Sequence, residues 1–185
     1  MGNRNGGATV ALLRGVNVGG KNILPMKELC GMFADAGCVD VKNYIQSGNV
    51  IFRAEPNLLP TLSATIGARI ADRFGFHAPV VLRSHEDLAA TIRDNPFIRR
   101  GESEEFLHVM FLADKPAPEH RNNLDADRSR PDEFSVRGRE IYLYLPNGVG
   151  KTKLNNAWFD SKLKTVGTGR NWRTVLKLFE LTAPE

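Results

Sequence analysis

Two apolar stripes at helical spacing, Met26-Leu29-Cys30-Phe33 and Leu59-Leu62-Ile66-Ile70-Phe74, are each closed by a glycine, Gly37 and Gly75. A helix with one apolar stripe must bury it, and short apolar runs stand on either side to receive it. Ala8 to Leu13 precedes the first stripe, Val39 to Ile45 and Val50 to Phe52 separate the two, and Pro79 to Leu82 follows the second. The order reads strand, helix, two strands, helix, strand, which is the ferredoxin-like βαββαβ unit. The first strand is apolar without alternation, so it belongs inside its sheet or under cover on both faces. Between the middle strands, Gln46-Ser47-Gly48-Asn49 supplies a hairpin turn, with Gly48 and Asn49 accepting positive φ.

The same series recurs about ninety to a hundred residues later. Ser84-His85-Glu86-Asp87 first caps a short helix that stops at Asn95-Pro96, and Arg99 to Glu105 reads as a linker. Phe106 to Leu112 is then a strand, Pro118 to Leu124 a helix, and Glu133–Val136 with Glu140–Leu145 a hairpin turned at Gly138. Helices are expected over Lys153–Leu163 and Asn171–Leu181, with the closing strand near Thr165-Val166. The expected fold is α+β: duplicated ferredoxin-like units with antiparallel sheets and helices packed on one face. Residues 1–7 are expected to be a disordered terminus, 8–98 the first repeat and 105–185 the second.

Several function classes drop out. Hydrophobic residues at 42% and charged residues at 25% describe a globular protein rather than a disordered or fibrous one. No apolar run approaches the roughly 20 residues of a membrane span, and Met1 to Gly7 lacks a secretory h-region, so the expected location is cytoplasmic. Cys30 and Cys38 form no CxxC and suit buried small hydrophobes. The histidines 77, 85, 108 and 120 are scattered, and His85-Glu86-Asp87-Leu88-Ala89 lacks the second histidine of a zinc-protease motif, so no metal site is expected. Charge is distributed unevenly. Residues 101–133 hold four Lys/Arg against nine Asp/Glu, whereas 134–177 hold nine against two, so an anionic partner would be drawn to the last quarter.

Four stretches could carry chemistry. In the first, Arg14-Gly15-Val16-Asn17-Val18-Gly19-Gly20-Lys21-Asn22, glycines admit a ligand to the backbone while Arg14, Asn17, Lys21 and Asn22 offer donors to a phosphate or carboxylate. Val16, Val18 and Leu24 are expected to anchor its apolar side. Asn17 stands where a GxGxxG pattern starting at Gly15 needs glycine, which excludes a dinucleotide fingerprint, and no other cofactor is called for. The second is the hairpin tip with Gln46, Ser47 and Asn49. The third, Leu145 to Leu154, contains Gly150-Lys151-Thr152 and Lys153, but Leu145 occupies the first glycine position of a P-loop, leaving a simpler anion-binding loop through the two lysines. In the fourth, Asn171 caps the last helix beside Arg170, while Trp172 reads as a core anchor. Tyr142 and Tyr144 share one strand face in the basic region, so nucleic acid stays a candidate partner without the aromatic pattern of an RNA-recognition motif.

Taken together, Leu12–Gly20, Tyr44–Val50, Asn95-Pro96-Phe97, Leu145–Gly148, Lys151–Leu154 and Arg170–Val175 resemble the bacterial domain-of-unknown-function family 1697, over nearly the whole chain from Val10 to Leu181. The resemblance implies a cytoplasmic bacterial protein with a duplicated, intertwined ferredoxin-like architecture and no established activity. The leading expectation is a binding protein for a phosphorylated or otherwise anionic small molecule or nucleotide, held by a composite of the four stretches. Nucleic-acid binding by the basic quarter and an enzyme acting on phosphoryl or acyl groups are the alternatives.

Overall fold

The computed structural model describes residues 8–184; the terminus 1–7, expected to be disordered, lies outside the described residues. By compactness the chain divides into two units, one running through Ala89 and resuming at Leu178, the other Ala90–Lys177.

The first unit contains β1 (Thr9–Leu13), α1 (Met26–Asp35), β2 (Val39–Tyr44), β3 (Asn49–Arg53), α2 (Leu59–Phe74) and β4 (Val80–Ser84), followed by α3 (His85–Arg93). Its strands form an antiparallel sheet in the order β2-β3-β1-β4. Alternate sheet positions Ala11, Leu13, Val50, Phe52 and Val80 pack against Leu29, Phe33, Leu62, Ile66 and Ile70 of the two helices. Burying each of the larger side chains stabilises the fold by about 1.5–3 kcal/mol before entropy is counted. β1 lies inside the sheet, and its intervening Val10 and Leu12 are fully buried too, which is why the strand shows no alternation. At the edge, β2 is protected from pairing by exposed charges and a bulge between Val39 and Lys42, where Asp40 has φ 52°.

The second unit contains α4 (Pro96–Arg100), a 3₁₀ turn (Glu104–Phe106), β5 (Leu107–Leu112), α5 (Pro118–Asn122), β6 (Glu133–Arg137), β7 (Glu140–Tyr144), α6 (Asn156–Leu163), β8 (Gly167–Asn171) and the first turns of α7 (Trp172–Leu181), whose last residues from Leu178 belong to the first unit. The sheet order β6-β7-β5-β8 repeats that of the first unit. Met110, Leu112, Ile141 and Leu143 meet Trp158, Phe159 and Leu163 of α6 in its core. The molecule is therefore a duplicated ferredoxin-like α+β protein.

Three local expectations need correcting. Arg99 to Glu105 is no linker: Asn95 ends one helix and starts the next, its Oδ1 accepting from the Phe97 and Ile98 N–H groups, and the 3₁₀ turn follows. The N-terminus of α6 lies three residues later than expected because Asn155 caps it, accepting from the Trp158 N–H at 3.0 Å. The closing strand is Gly167–Asn171, whose glycines and polar residues carry little β propensity. Packing decides there: a Cβ on Gly167 would lie 2.8 Å from Met110 Cγ.

Residue-level equivalence between the units follows from pairing. Leu13 N–H donates to the Gly48 carbonyl and Arg14 N–H to that of Pro79; in the second unit Leu112 N–H donates to Arg139 and Ala113 N–H to Val166. A buried arginine stands opposite a valine in both closing strands, Arg83 against Val10 and Arg170 against Val109. Each is followed by a helix cap. Ser84 Oγ accepts from Asp87 N–H in a reciprocal box, and Asn171 Oδ1 from Thr174 N–H.

Candidate functional site

The first and second candidate stretches meet at one corner of the first unit. Here β1 ends, the β2–β3 hairpin turns and β4 begins. After Leu13 the chain rises into a small finger. Asn17 N–H donates to the Asn22 carbonyl and Lys21 N–H to that of Val18, with Gly19 (φ 58°) and Gly20 (φ 73°) at the turn. Positive φ at both central residues belongs to the tight hairpin turn, so these glycines shape the finger's tip instead of opening a cradle for phosphate.

Asparagines hold the finger to its base. Asn17 Nδ2 donates to the carbonyls of Leu24 and Gln46, both at 2.9 Å, while its Oδ1 accepts from Leu24 N–H at 2.8 Å. Asn22 Nδ2 reaches back to the Gly15 carbonyl at 2.9 Å. Asn49, fully buried, donates to the Tyr44 carbonyl and Ser47 Oγ. All three thus bind their own loops. The hairpin tip is pressed against β1: a Cβ on Gly48 (φ 74°) would lie 2.5 Å from Val16 Cγ2 and 2.9 Å from Leu13 Cβ.

Around this frame Arg14 is half-buried, Ser47 intermediate, and Lys21 and Gln46 exposed. Val16 and Leu24 are buried as expected, but Val18 is not an anchor; it is 63% exposed at the finger tip, with Ile23 at 59% and Ile45 at 49% nearby in sequence or on the adjoining hairpin. Ile45 was not marked by sequence reasoning. It has φ 50°, an outlier for a β-branched residue, and only its place between strand and turn hinted at a special backbone.

In the second unit the glycine-containing loop runs from the end of β7 to α6. Gly148 N–H donates to the Leu145 carbonyl and Lys151 N–H to that of Gly148, which makes successive turns and no P-loop. Lys151 and Lys153 are exposed, and Ser129 and Arg128 brace the loop: Lys153 N–H donates to Ser129 Oγ at 3.0 Å, and Arg128 Nε to the Lys153 carbonyl at 3.1 Å. Sequence carries no signal for that brace. This loop lies at the opposite end of its sheet from the β6–β7 turn, since Leu145 N–H bonds the Phe106 carbonyl before β5. Arg170 is buried, donating to Thr168 Oγ1 and the Gly169 carbonyl at 2.8 Å, and burial pulls its guanidinium down to about 10. Asn171 caps α7 and Trp172 is 2% exposed, in keeping with cap and core anchor.

The aromatic pair in β7 offers no stacking platform. Tyr142 is 2% exposed, and burial pushes its hydroxyl above the usual range. Tyr144 packs on Phe97 and against Phe106, with the Arg100 guanidinium 5.8 Å from its ring centre. Cys38 is buried, its thiol raised to about 11. Among the described residues no group of three or more His, Cys, Asp or Glu is placed to hold a metal ion, and no helix is long and apolar enough to cross a membrane.

The model of the family described as "Protein of unknown function (DUF1697)" matches residues 7–142. The chain belongs to that family. A solved structure described as that of a conserved bacterial protein from Streptococcus pneumoniae has the same fold. It is 24% identical, with a TM-score of 0.64 over 96% of this chain and 99% of that one. No protein of curated description matches the sequence. Neither family description nor neighbour names a ligand or reaction for this DUF1697 member.

Proposed function

We propose that the protein binds a phosphorylated or otherwise anionic small molecule, nucleotides included, at the corner of the first unit formed by Arg14–Asn22 and Ile45–Asn49. The observation that carries this reading is a concentration of left-handed backbone beside two cations. Gly15, Asn17, Gly19, Gly20, Asn22, Ile45 and Gly48 all have positive φ. Ile45, β-branched, costs about 1–2 kcal/mol in this conformation, whereas asparagine and glycine adopt it readily, and strain of the Ile45 kind collects where a site must hold a shape the chain would not otherwise adopt. In this reading Arg14 and Lys21 neutralise the anion, Gln46 and Ser47 donate to it, and Asn17, Asn22 and Asn49 hold the loops in place.

Thermal-shift measurements with phosphate, pyrophosphate, ADP and ATP test it. A tight binder of the native state raises the midpoint, and the rise should disappear in Arg14→Ala/Lys21→Ala. No stabilisation by any of the four at millimolar concentration, or an undiminished rise in the double variant, sinks the reading. A second reading, single-stranded nucleic acid on the basic quarter, is favoured by the exposure of Lys151, Lys153, Lys162, Lys164 and Arg173. It requires retention that falls steeply with salt, and absence of binding at low salt removes it.

A further inference from the structure

Each sheet has an edge at the same place in its fold, β2 in the first unit and β6 in the second. An open edge is a row of N–H and C=O groups ready to accept another strand. β2 is blunted by its bulge and by Asp40 at φ 52°. β6 carries no such device. Its residues run against β7 in unbroken register, and among the described residues it pairs with no other strand.

The register fixes which backbone groups look outward. Gly138-Arg139 is a two-residue turn, so its flanking residues Arg137 and Glu140 exchange backbone bonds, and by alternation Ser135 does so with Tyr142. The outward N–H and C=O groups are therefore those of Phe134 and Val136. Side chains alternate as well: Phe134 and Val136 pack on the core of the unit, and Glu133, Ser135 and Arg137 take the other face.

Charges blunt an edge when a second copy would set like against like. Here they do the reverse. About a two-fold axis at Ser135, the antiparallel run Glu133-Phe134-Ser135-Val136-Arg137 is self-complementary. Each Glu133 faces Arg137 of the other copy, and each Phe134 faces Val136, an aromatic to β-branched pair that exchanges both of its backbone bonds. The charged side chains are exposed yet already anchored, which lowers the cost of ordering them. Glu133 accepts from both terminal nitrogens of Arg100 at 2.8 Å, and Arg137 donates to the Asp94 carbonyl at 3.0 Å. Carboxylate and guanidinium have further hydrogen-bonding positions beyond these.

We infer that β6 is a homodimerisation edge: a second copy of this chain adds its own β6 antiparallel about a two-fold axis through Ser135, joining the two second-unit sheets into one. The inference concerns the second unit alone and is independent of the anion-binding corner proposed for the first.

Sedimentation velocity of the full-length protein tests it. Mass should rise from one chain towards two between about 1 μM and 1 mM, the range suited to a small strand-edge interface. Arg137→Glu and Glu133→Arg each set like charges opposite one another, and each alone should weaken association tenfold or more. Mixing the two variants restores opposite charges at both ends of the pair and should restore the dimer. Cysteine cross-linking gives a readout that needs neither charge variant to fold. Ser135→Cys meets its own counterpart in a non-hydrogen-bonded pair, where Cα atoms lie about 4.5 Å apart, within disulfide reach. It should form a covalent dimer under mild oxidation, above the background that Cys30 and Cys38 give in the parent, while Glu133→Cys, offset from its counterpart along the strand, should stay at background. A single-chain mass at every concentration, a dimer indifferent to both charge variants, or equal cross-linking through Glu133→Cys and Ser135→Cys would each overturn the assignment.

Discussion

Between β1 and α1 the first unit uses twelve residues, 14–25; between β5 and α5 the second makes the equivalent step in five, 113–117. The backbone bonds beneath are the same. Leu13 N–H meets Gly48 and Leu112 N–H meets Arg139 at 2.8 Å, while the next residue in each strand bonds the chain entering the closing strand at 3.0 and 2.9 Å. The second corner shows how little this fold needs at that point. The finger, its asparagine clamps and the strained Ile45 are therefore additions to a framework already complete without them. Arg14 stands where the second unit has Ala113, so a cation directly follows the first strand at one corner and an alanine at the other.

The comparison breaks most readily at Gly48. Its alanine variant combines a left-handed backbone with a Cβ thrust at Val16 and Leu13, and should lose about 3–4 kcal/mol in denaturant unfolding. Arg139→Ala, at the equivalent position, should lose under about 1 kcal/mol. Equal losses would mean that the two corners are packed alike.

Asn17→Ala comes next. It removes three hydrogen bonds and leaves a Cβ at φ 54°, so a loss of about 2–3 kcal/mol is expected, with Asn17→Gly recovering about 1 kcal/mol of it. An alanine variant as stable as the parent would show that the finger is not clamped.

The second unit gathers charge at the other end of its sheet, where Arg100 pairs with Glu133 and holds its carboxyl below the ordinary 4.5. The sign follows from that lowering. The contribution is complete above the unfolded value and disappears as pH falls through the folded one, so the parent's midpoint should drop more between about pH 5 and 3 than that of Glu133→Gln. The pair is half-exposed, and Arg100→Ala should lose only about 0.5–1 kcal/mol at neutral pH. Parallel pH curves for parent and Glu133→Gln would remove the pair from the account.

The smallest effect has the opposite sign. Asparagine tolerates φ 50° better than isoleucine does, so Ile45→Asn should stabilise the protein by up to about 1 kcal/mol in the same unfolding assay. A destabilised variant would show that Ile45 is packed, and that its backbone is not a strain held for another purpose.

Most of the fold was legible because helix stripes and apolar strands announce themselves through periodicity, as in Leu62, Ile66 and Ile70. The closing strand of the second unit was not, since Gly167 and Gly169 answer to the bulk of neighbouring side chains and to no local preference. At the corner, the meeting of Arg14–Asn22 with Gln46–Asn49 followed from topology, but the roles within it did not. An asparagine that donates to a ligand and one that ties down a loop look alike in sequence; Asn17, Asn22 and Asn49 all do the latter. Burial was equally hidden for Arg170, a cation in a basic stretch that turns inward. The acid-rich run before Glu133 was visible as a charge imbalance, whereas the burial of Asp132 within it depends on three-dimensional packing.

The most direct measurement of the central claim is an amide chemical-shift titration of the full-length protein with pyrophosphate and ATP. Saturable perturbations at Arg14–Asn22 and Ile45–Asn49, with none at the equivalent residues 113–117 and 137–140, are predicted. Perturbations of the same size at both corners, or none at the finger at millimolar ligand, would contradict it.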